Sequence, residues 1–74
     1  MNNKKSIDVK VNEKSGLKYI TIYEVRGKEL KTGNSITMDR FLNKKDAEKY
    51  QNFCYDVHHE LYYPFWIMEQ PVWL

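Results

Sequence analysis

The chain has little of what usually holds a very small protein together. Its 74 residues contain one cysteine, Cys54, so an internal disulfide is excluded. Cysteine and histidine do not occur at the spacings of a four-ligand zinc site either. A domain of this size buries only roughly 60% of the surface that its unfolded chain exposes. We therefore predict a single domain over residues 1–74, of marginal stability, in a reducing compartment that suits the lone thiol.

Long apolar runs are also missing. No stretch of the sequence approaches the about 20 apolar residues that a membrane-spanning helix needs. The opening residues, MNNKKSIDVKV, are polar and charged where a secretory signal carries an apolar region. These absences predict a cytoplasmic protein that does not associate with membranes.

Positive charge is missing from the last third of the chain. All twelve Lys and Arg residues lie between Lys4 and Lys49, together with seven acidic residues, whereas residues 50–74 carry three acidic residues and no Lys or Arg. A basic excess in the first part is typical of a nucleic-acid surface, but also of an ordinary solvated surface rich in lysine. The interspersed acidic residues favour the solvated surface.

Two segments near the start have the pattern of β-strands. Residues 7–12 alternate apolar and polar side chains, which is typical of a half-buried strand. Residues 17–25 are rich in β-branched and aromatic side chains and are apolar on both faces, with Ile20 and Ile22 on one of them. Because a strand that is apolar on both faces needs cover on both sides, we expect this strand to be central.

The region after the second strand predicts at least one more. Residues 26–28, Arg-Gly-Lys, are expected to form a tight hairpin turn, followed by a third strand from Lys28 toward Thr32. Gly33 and Asn34 interrupt it, either as a bulge or as a second hairpin that adds a short strand from Ser35 to Met38. Three strands and four strands both remain open.

Helix signals are concentrated in residues 43–62. Asn43 is a good N-cap, and Asp46 follows three residues later in an approximate capping box. Apolar residues then recur at spacings of three and four, at Ala47, Tyr50, Cys54, Val57 and Leu61. Since the residue before a proline is disfavoured in a helix, Pro64 limits the helix to about residues 44–62.

Together these patterns predict an α+β fold. A three- or four-stranded antiparallel sheet packs one face against a single C-terminal helix, and an apolar tail follows the helix. We expect the helix to leave uncovered the sheet face that carries Tyr19 and Tyr23.

The apolar tail, Tyr62–Leu74, is the most unusual segment. Nine of its thirteen side chains are large and apolar or aromatic. It can fold back over the uncovered sheet face, or it can project into another molecule. Either way some aromatic surface should stay exposed, and Trp and Tyr dominate the hot spots of protein interfaces. The predicted partner-binding residues are Tyr19, Tyr23, Tyr62, Tyr63, Phe65, Trp66 and Trp73.

Residues suited to catalysis or to metal binding are few. Cys54 and His58 lie four residues apart on one helical face, a spacing that suits two metal ligands or a thiolate–imidazole pair. Two ligands do not make a metal site, however, and Cys54 also belongs to the apolar stripe, where cysteine behaves as a small hydrophobe. The three glycines are isolated and form no phosphate-binding loop. We predict no enzymatic activity, no metal, no cofactor and no small-molecule substrate.

One longer pattern is similar to a known family. The segment LKYITIYEVRGKELKTGN, followed by FLNKKDAEKY, resembles the three-stranded DNA-binding domains of the AP2 type and the arm-binding domains of phage-type integrases, over about residues 17–57. Gly27 and Lys28 match the turn between strands, and Phe41 with residues 44–47 matches the start of the helix. The resemblance implies a sheet-plus-helix fold whose sheet enters the major groove of DNA.

These observations lead to two hypotheses of function. The first is a small non-enzymatic protein that binds and occludes a larger protein, similar to the inhibitors that phages and mobile elements make against host or defence proteins, including CRISPR nucleases. The protein partner could also be a second copy of the chain. The second hypothesis is a DNA-binding regulator with an AP2-like sheet, whose phosphate contacts would be Lys18, Arg26, Lys28, Lys31 and Arg40.

Overall fold

The computed structural model describes residues 8–74. It contains the strands β1 (Val9–Val11), β2 (Lys18–Glu29), β3 (Ser35–Phe41) and β4 (Tyr62–Trp73), and one helix, α1 (Lys44–Val57), between β3 and β4. The predicted α+β fold with an antiparallel sheet and one helix is confirmed, and the described strands number four. Ile7, in the predicted first strand, lies outside the described residues.

The second strand is central, as its two apolar faces predicted. One edge of β2 pairs with β4 over almost its whole length, from Tyr19 opposite Trp73 to Glu29 opposite Tyr62. The other edge is shared by β1, which pairs with residues 18–20, and by β3, which pairs with residues 23–28. All of these pairings are antiparallel.

The predicted hairpin turn at Arg26-Gly27-Lys28 is wrong. β2 continues through these residues, and the chain reverses at residues 30–34, where Gly33 has a φ of +77° and its N–H donates to the Glu29 carbonyl at 2.7 Å. The reason is a long-range contact. Gly27 lies opposite Phe65, and a Cβ atom on Gly27 would lie 2.9 Å from two carbons of the Phe65 ring. This glycine therefore accommodates an aromatic ring rather than a turn.

The helix begins as predicted and ends earlier. The Asn43 side-chain oxygen accepts hydrogen bonds from the N–H groups of Lys45 at 2.8 Å and Asp46 at 3.4 Å, which confirms the N-cap. The expected end near residue 62 is wrong, because α1 stops at Val57 and the chain turns through residues 58–61. Because α1 ends here, the aromatic and β-branched residues that follow can pair with β2.

The helix packs on one face of the sheet and forms a small core there. Val25, Ala47 and Cys54 are fully buried, and Phe65 is 3% exposed. Half-buried apolar residues surround them: Tyr23, Met38, Phe41, Tyr50, Tyr55, Tyr62 and Ile67. Within residues 8–74, no helix combines the length and the apolar character needed to cross a membrane.

Candidate partner-binding surface

The apolar tail becomes a strand of the protein's own sheet. Residues 62–73 form β4, which lies beside β2 rather than across a sheet face. Phe65 enters the core under α1, where its carbonyl accepts hydrogen bonds from the Gln51 side chain at 3.0 Å and from the Tyr55 hydroxyl at 3.1 Å. Of the two alternatives, the tail docks on its own protein, but it does so by pairing along the edge of β2 rather than by folding over a sheet face.

The predicted partner-binding residues separate into three groups. Tyr23, Tyr62 and Phe65 pack in or against the core, where they support the fold. Tyr19 and Trp73 face each other on neighbouring strands, with ring centroids 5.0 Å apart.

The third group consists of residues that lie outside both clusters. Tyr63 is 54% exposed. Trp66 is half-buried and lies opposite Arg26. Since Arg26 and Val25 are adjacent in β2 and Val25 faces the helix, Trp66 lies on the opposite side of the sheet.

That opposite side is the sheet face that α1 does not cover, which we call the open face. Its β2 residues are Ile20, Ile22, Glu24 and Arg26, and their partners on β4 are Val72, Gln70, Met68 and Trp66. The expectation that the Tyr19 and Tyr23 face would stay uncovered is thus wrong: the helix packs on the side of Tyr23 and Val25 and leaves the isoleucine side open. Within residues 8–74, α1 is the single helix, so the open face has no second layer.

A carboxylate held by two guanidinium groups lies in the middle of the open face. Glu24 is 3% exposed, and its two oxygens accept hydrogen bonds from Arg26 Nη1 and Arg40 Nε, each at 2.8 Å. Gln70 Nε2 adds a longer contact of 3.4 Å. The hydrogen bonds from Arg26 and then Arg40 lower the pKa of Glu24 below its ordinary value, against the opposing effect of burial.

The same cluster fixes Arg26 in place. Its guanidinium also donates to the Thr37 hydroxyl at 2.7 Å and to the Ser35 hydroxyl at 2.9 Å, both on β3. Arg26 is thus fully engaged within the sheet. Arg40 makes one of these bonds through Nε, and its side chain is 64% exposed.

Four of the five cations predicted for DNA lie on this face. Lys18, Arg26 and Lys28 occupy alternate positions of β2, and Arg40 lies opposite Glu24 on β3. Lys31 is exposed in the turn between β2 and β3. Arg26, Lys28 and Arg40 lie where β2 pairs with β3, and Lys18 lies where β2 pairs with β1. The apolar part of the face is next to β4.

Cys54 and His58 do not form a reactive pair. Cys54 is fully buried in the core, and burial raises the pKa of its thiol, which disfavours the thiolate that nucleophilic or metal-binding chemistry requires. Across residues 8–74, no group of three or more His, Cys, Asp or Glu side chains lies close enough together to hold a metal ion.

Sequence reasoning named Trp66 as a binding residue but missed Met68 and Val72. It placed Ile20 and Ile22 together on one face of β2, but not as part of the binding surface. The available signal was weak: the even-numbered residues of β4 are apolar except for Gln70 and Pro64, but its odd-numbered residues are equally apolar. This signal became useful only once the segment was known to be a strand.

No protein-family model, curated protein or solved structure matches this chain. The resemblance to AP2-type domains therefore stays a prediction.

Proposed function

We propose that this protein is a non-enzymatic inhibitor that binds a larger protein through the open face and blocks the surface it covers. One observation carries this proposal: the open face carries a group of apolar side chains, interrupted along β4 by Gln70, over which residues 8–74 place no second layer. Met68 is 41% exposed and Val72 39% exposed, and half-buried Ile20, Ile22 and Trp66 lie beside them. Contiguous apolar patches on a small domain commonly mark interaction sites.

The face has the composition of an interface. Trp66 lies at one end of the apolar side chains, opposite Arg26, and tryptophan is a typical anchor of binding energy. Each Å² of apolar surface removed from water contributes about 25 cal/mol, and the patch is already ordered by the sheet, so little conformational entropy is lost on binding.

The charges beside the patch indicate the chemistry of the partner. Lys18, Lys28 and Arg40 border these apolar side chains, whereas Glu24 is enclosed between its two arginines. A complementary surface would be apolar at its centre and acidic at its rim. We propose a cytoplasmic partner of this kind, in a compartment that keeps Cys54 reduced.

The shape of the molecule suits steric blocking. The described residues extend over 43 × 37 × 13 Å, which is a thin slab with one broad free face. A slab covers a large area of its partner for a short chain, and a surface covered in this way is closed to other ligands without any chemical step.

A pair of matched lysine variants tests the proposal. Met68→Lys places a charge in the open face, and Val57→Lys places the same charge at the end of α1, where the native side chain is 54% exposed. We expect the wild type and Val57→Lys to capture the same protein from extracts of the native host, and Met68→Lys to lose it. Circular dichroism must show that both variants are folded. If Met68→Lys captures the protein as well as Val57→Lys does, the open face is not the binding site.

A DNA-binding function is the second candidate, favoured by the placement of four cations on one sheet face. The salt dependence of binding distinguishes this candidate from the first. Binding driven by phosphate contacts weakens steeply with salt, with a slope of about −0.9 in log K against log salt for each contact. We expect Arg40→Gln and Lys28→Gln each to reduce that slope by about one contact. If the wild type fails to bind duplex DNA at low salt, the candidate is excluded.

A further inference from the structure

The sheet face on which α1 packs is not covered over its whole length. The helix packs on the side of Tyr23 and Val25. Tyr19 and Thr21 lie earlier in β2 on the same face, where they line open hollows. Two hollows, of about 350 and 370 Å³, share Lys10 and Thr21 in their walls. They form one groove, which we call the helix-side groove, and each volume is within the range of ligand-binding pockets.

One wall of the helix-side groove is basic. Lys10, on β1, lies opposite Tyr19 and therefore on the same side of the sheet. Lys44 and Lys45 line the groove from the first turn of α1. Within residues 8–74, none of the three ammonium groups makes an ion pair. Asp8 lines the same wall, so three positive charges stand beside one negative charge.

The other wall is aromatic and belongs to β4. Trp73 is 49% exposed and packs against Tyr19, with ring centroids 5.0 Å apart. Pro71 lies next to it, opposite Thr21, and Glu69 is the one carboxylate of this wall. The pairing of β4 with β2 holds the indole in place, while about half of its surface stays available to another ring.

We infer that the helix-side groove binds single-stranded nucleic acid, with a base stacked on Trp73 and phosphates along Lys10, Lys44 and Lys45. A nucleic-acid strand carries flat rings on one side and phosphates on the other, as the two walls require. Proteins that bind single strands without sequence preference combine a positively charged groove with aromatic side chains on which bases stack.

Other negatively charged ligands fit the groove less well. In a duplex the bases stack on one another, so Trp73 could reach none of them without unstacking. An acidic peptide would satisfy the lysines but would offer the indole no regular series of flat rings. The inference does not rest on the proposed function, because the open face and the helix-side groove lie on opposite sides of the sheet.

The two tryptophans give a matched pair of probes, since they also lie on opposite sides of the sheet. Trp66→Phe leaves Trp73 as the only indole, and Trp73→Phe leaves Trp66. We expect an oligothymidylate of about eight nucleotides to quench the fluorescence of Trp66→Phe and to leave that of Trp73→Phe unchanged. The opposite result would assign binding to the open face and overturn the inference. The absence of quenching in both variants would also overturn it.

The affinity of the labelled oligonucleotide, measured by fluorescence anisotropy, tests the stacking. We expect Trp73→Ala to weaken binding about 5- to 150-fold, as loss of one stacked base does. Tyr63→Ala is the matched control, because Tyr63 is 54% exposed and lies ten residues away along β4. A Trp73→Ala protein that is folded by circular dichroism and binds as tightly as the wild type would contradict the inference. If this variant does not fold, the fluorescence pair still decides the question.

The salt dependence of binding tests the basic wall. For single strands, log K falls with log salt with a slope of about −0.7 for each phosphate contact, so three lysines predict a slope of about −2. We expect Lys45→Gln to reduce this slope by about 0.7. Lys28→Gln, on the open face, should leave it unchanged. A reduced slope in Lys28→Gln, together with an unchanged slope in Lys45→Gln, would place the strand on the open face and overturn the inference.

Competitors identify the chemistry of the ligand. Oligouridylate carries the same stacking faces and phosphates, so competition by it supports the inference, and its strength relative to oligothymidylate distinguishes RNA from DNA. Polyglutamate of equal charge should compete about 5-fold less well or worse, because it lacks the stacked base. Equal competition by polyglutamate, or tighter binding of a duplex of the same length, would overturn the inference.

Discussion

Replacement of Glu24 by Gln should destabilise the protein by about 2 kcal/mol. The substitution preserves the shape of the side chain but removes the charge that Arg26 and Arg40 contact at 2.8 Å. A hydrogen bond to a charged group contributes about 1.5–3 kcal/mol. The lower end of that range applies to Arg26, because its side chain is 22% exposed and water weakens the pair. Arg40, which is 64% exposed, adds only about 0–1 kcal/mol because water screens the pair.

This loss is large for such a chain. A domain of this length has a total stability of only about 4–11 kcal/mol, on the usual scale per residue. For domains of about 60–100 residues, each kcal/mol shifts Tm by roughly 4–8 °C, so we expect Glu24→Gln to melt roughly 8–16 °C below the wild type. Urea unfolding at pH 7 measures the difference in free energy. Glu48→Gln is the matched control, because the side chain of this exposed glutamate on α1 makes no hydrogen bond or ion pair within residues 8–74.

Because of the Glu24 carboxylate, the free energy of unfolding of the wild type should fall at acid pH in a way that Glu24→Gln does not show. The pKa of Glu24 is lowered in the folded state, so its contribution is complete above the pKa of the unfolded chain, near 4.5. That contribution is lost as the pH falls through the lower folded pKa. We therefore expect the stability difference between wild type and Glu24→Gln to shrink below about pH 4.5. Equal urea midpoints for the two proteins at pH 7 would refute the assigned role of the cluster.

Two further predictions concern the core. Gly27→Ala should destabilise the fold by about 1–2 kcal/mol in urea unfolding, because the clash with Phe65, about 1–3 kcal/mol, exceeds the gain of about 0.4–1 kcal/mol from a stiffer unfolded chain. The penalty should disappear when Phe65 is replaced by Leu, and a penalty that persists would show that the ring is not its cause. Cys54 should react with a thiol reagent at pH 8 roughly 100-fold more slowly in the native protein than in urea, since its reaction requires local opening. Equal rates would contradict its burial.

The local features of the fold could be predicted from the residues themselves. Asn43 caps α1 through its own neighbours, a geometry that needs only residues 43–46. The apolar stripe at spacings of three and four identified the helix, and the two apolar faces of β2 identified the central strand. In the candidate site, the alternation of β2 placed Ile20 and Ile22 together, and Trp66 was recognised by its residue type.

The wrong predictions concern residues whose local structure is decided by contacts with distant segments of the chain. Gly27 has the composition of a turn, but it lies in a strand because Phe65, far along the chain, packs against it. The helix α1 ends at Val57, and not near residue 62 as predicted, because the following residues pair with β2. Neither contact leaves a signal in the residues next to it.

The sequence by itself determined that a sheet, a helix and an apolar tail would form, because propensity, capping and periodicity act over a few neighbouring residues. Only the tertiary structure decided that the tail joins the sheet as β4, that the helix covers the Tyr23 face, and that the isoleucine face stays open. Those choices depend on which edge and which face bury more surface when all segments are present together, and that comparison involves the whole chain.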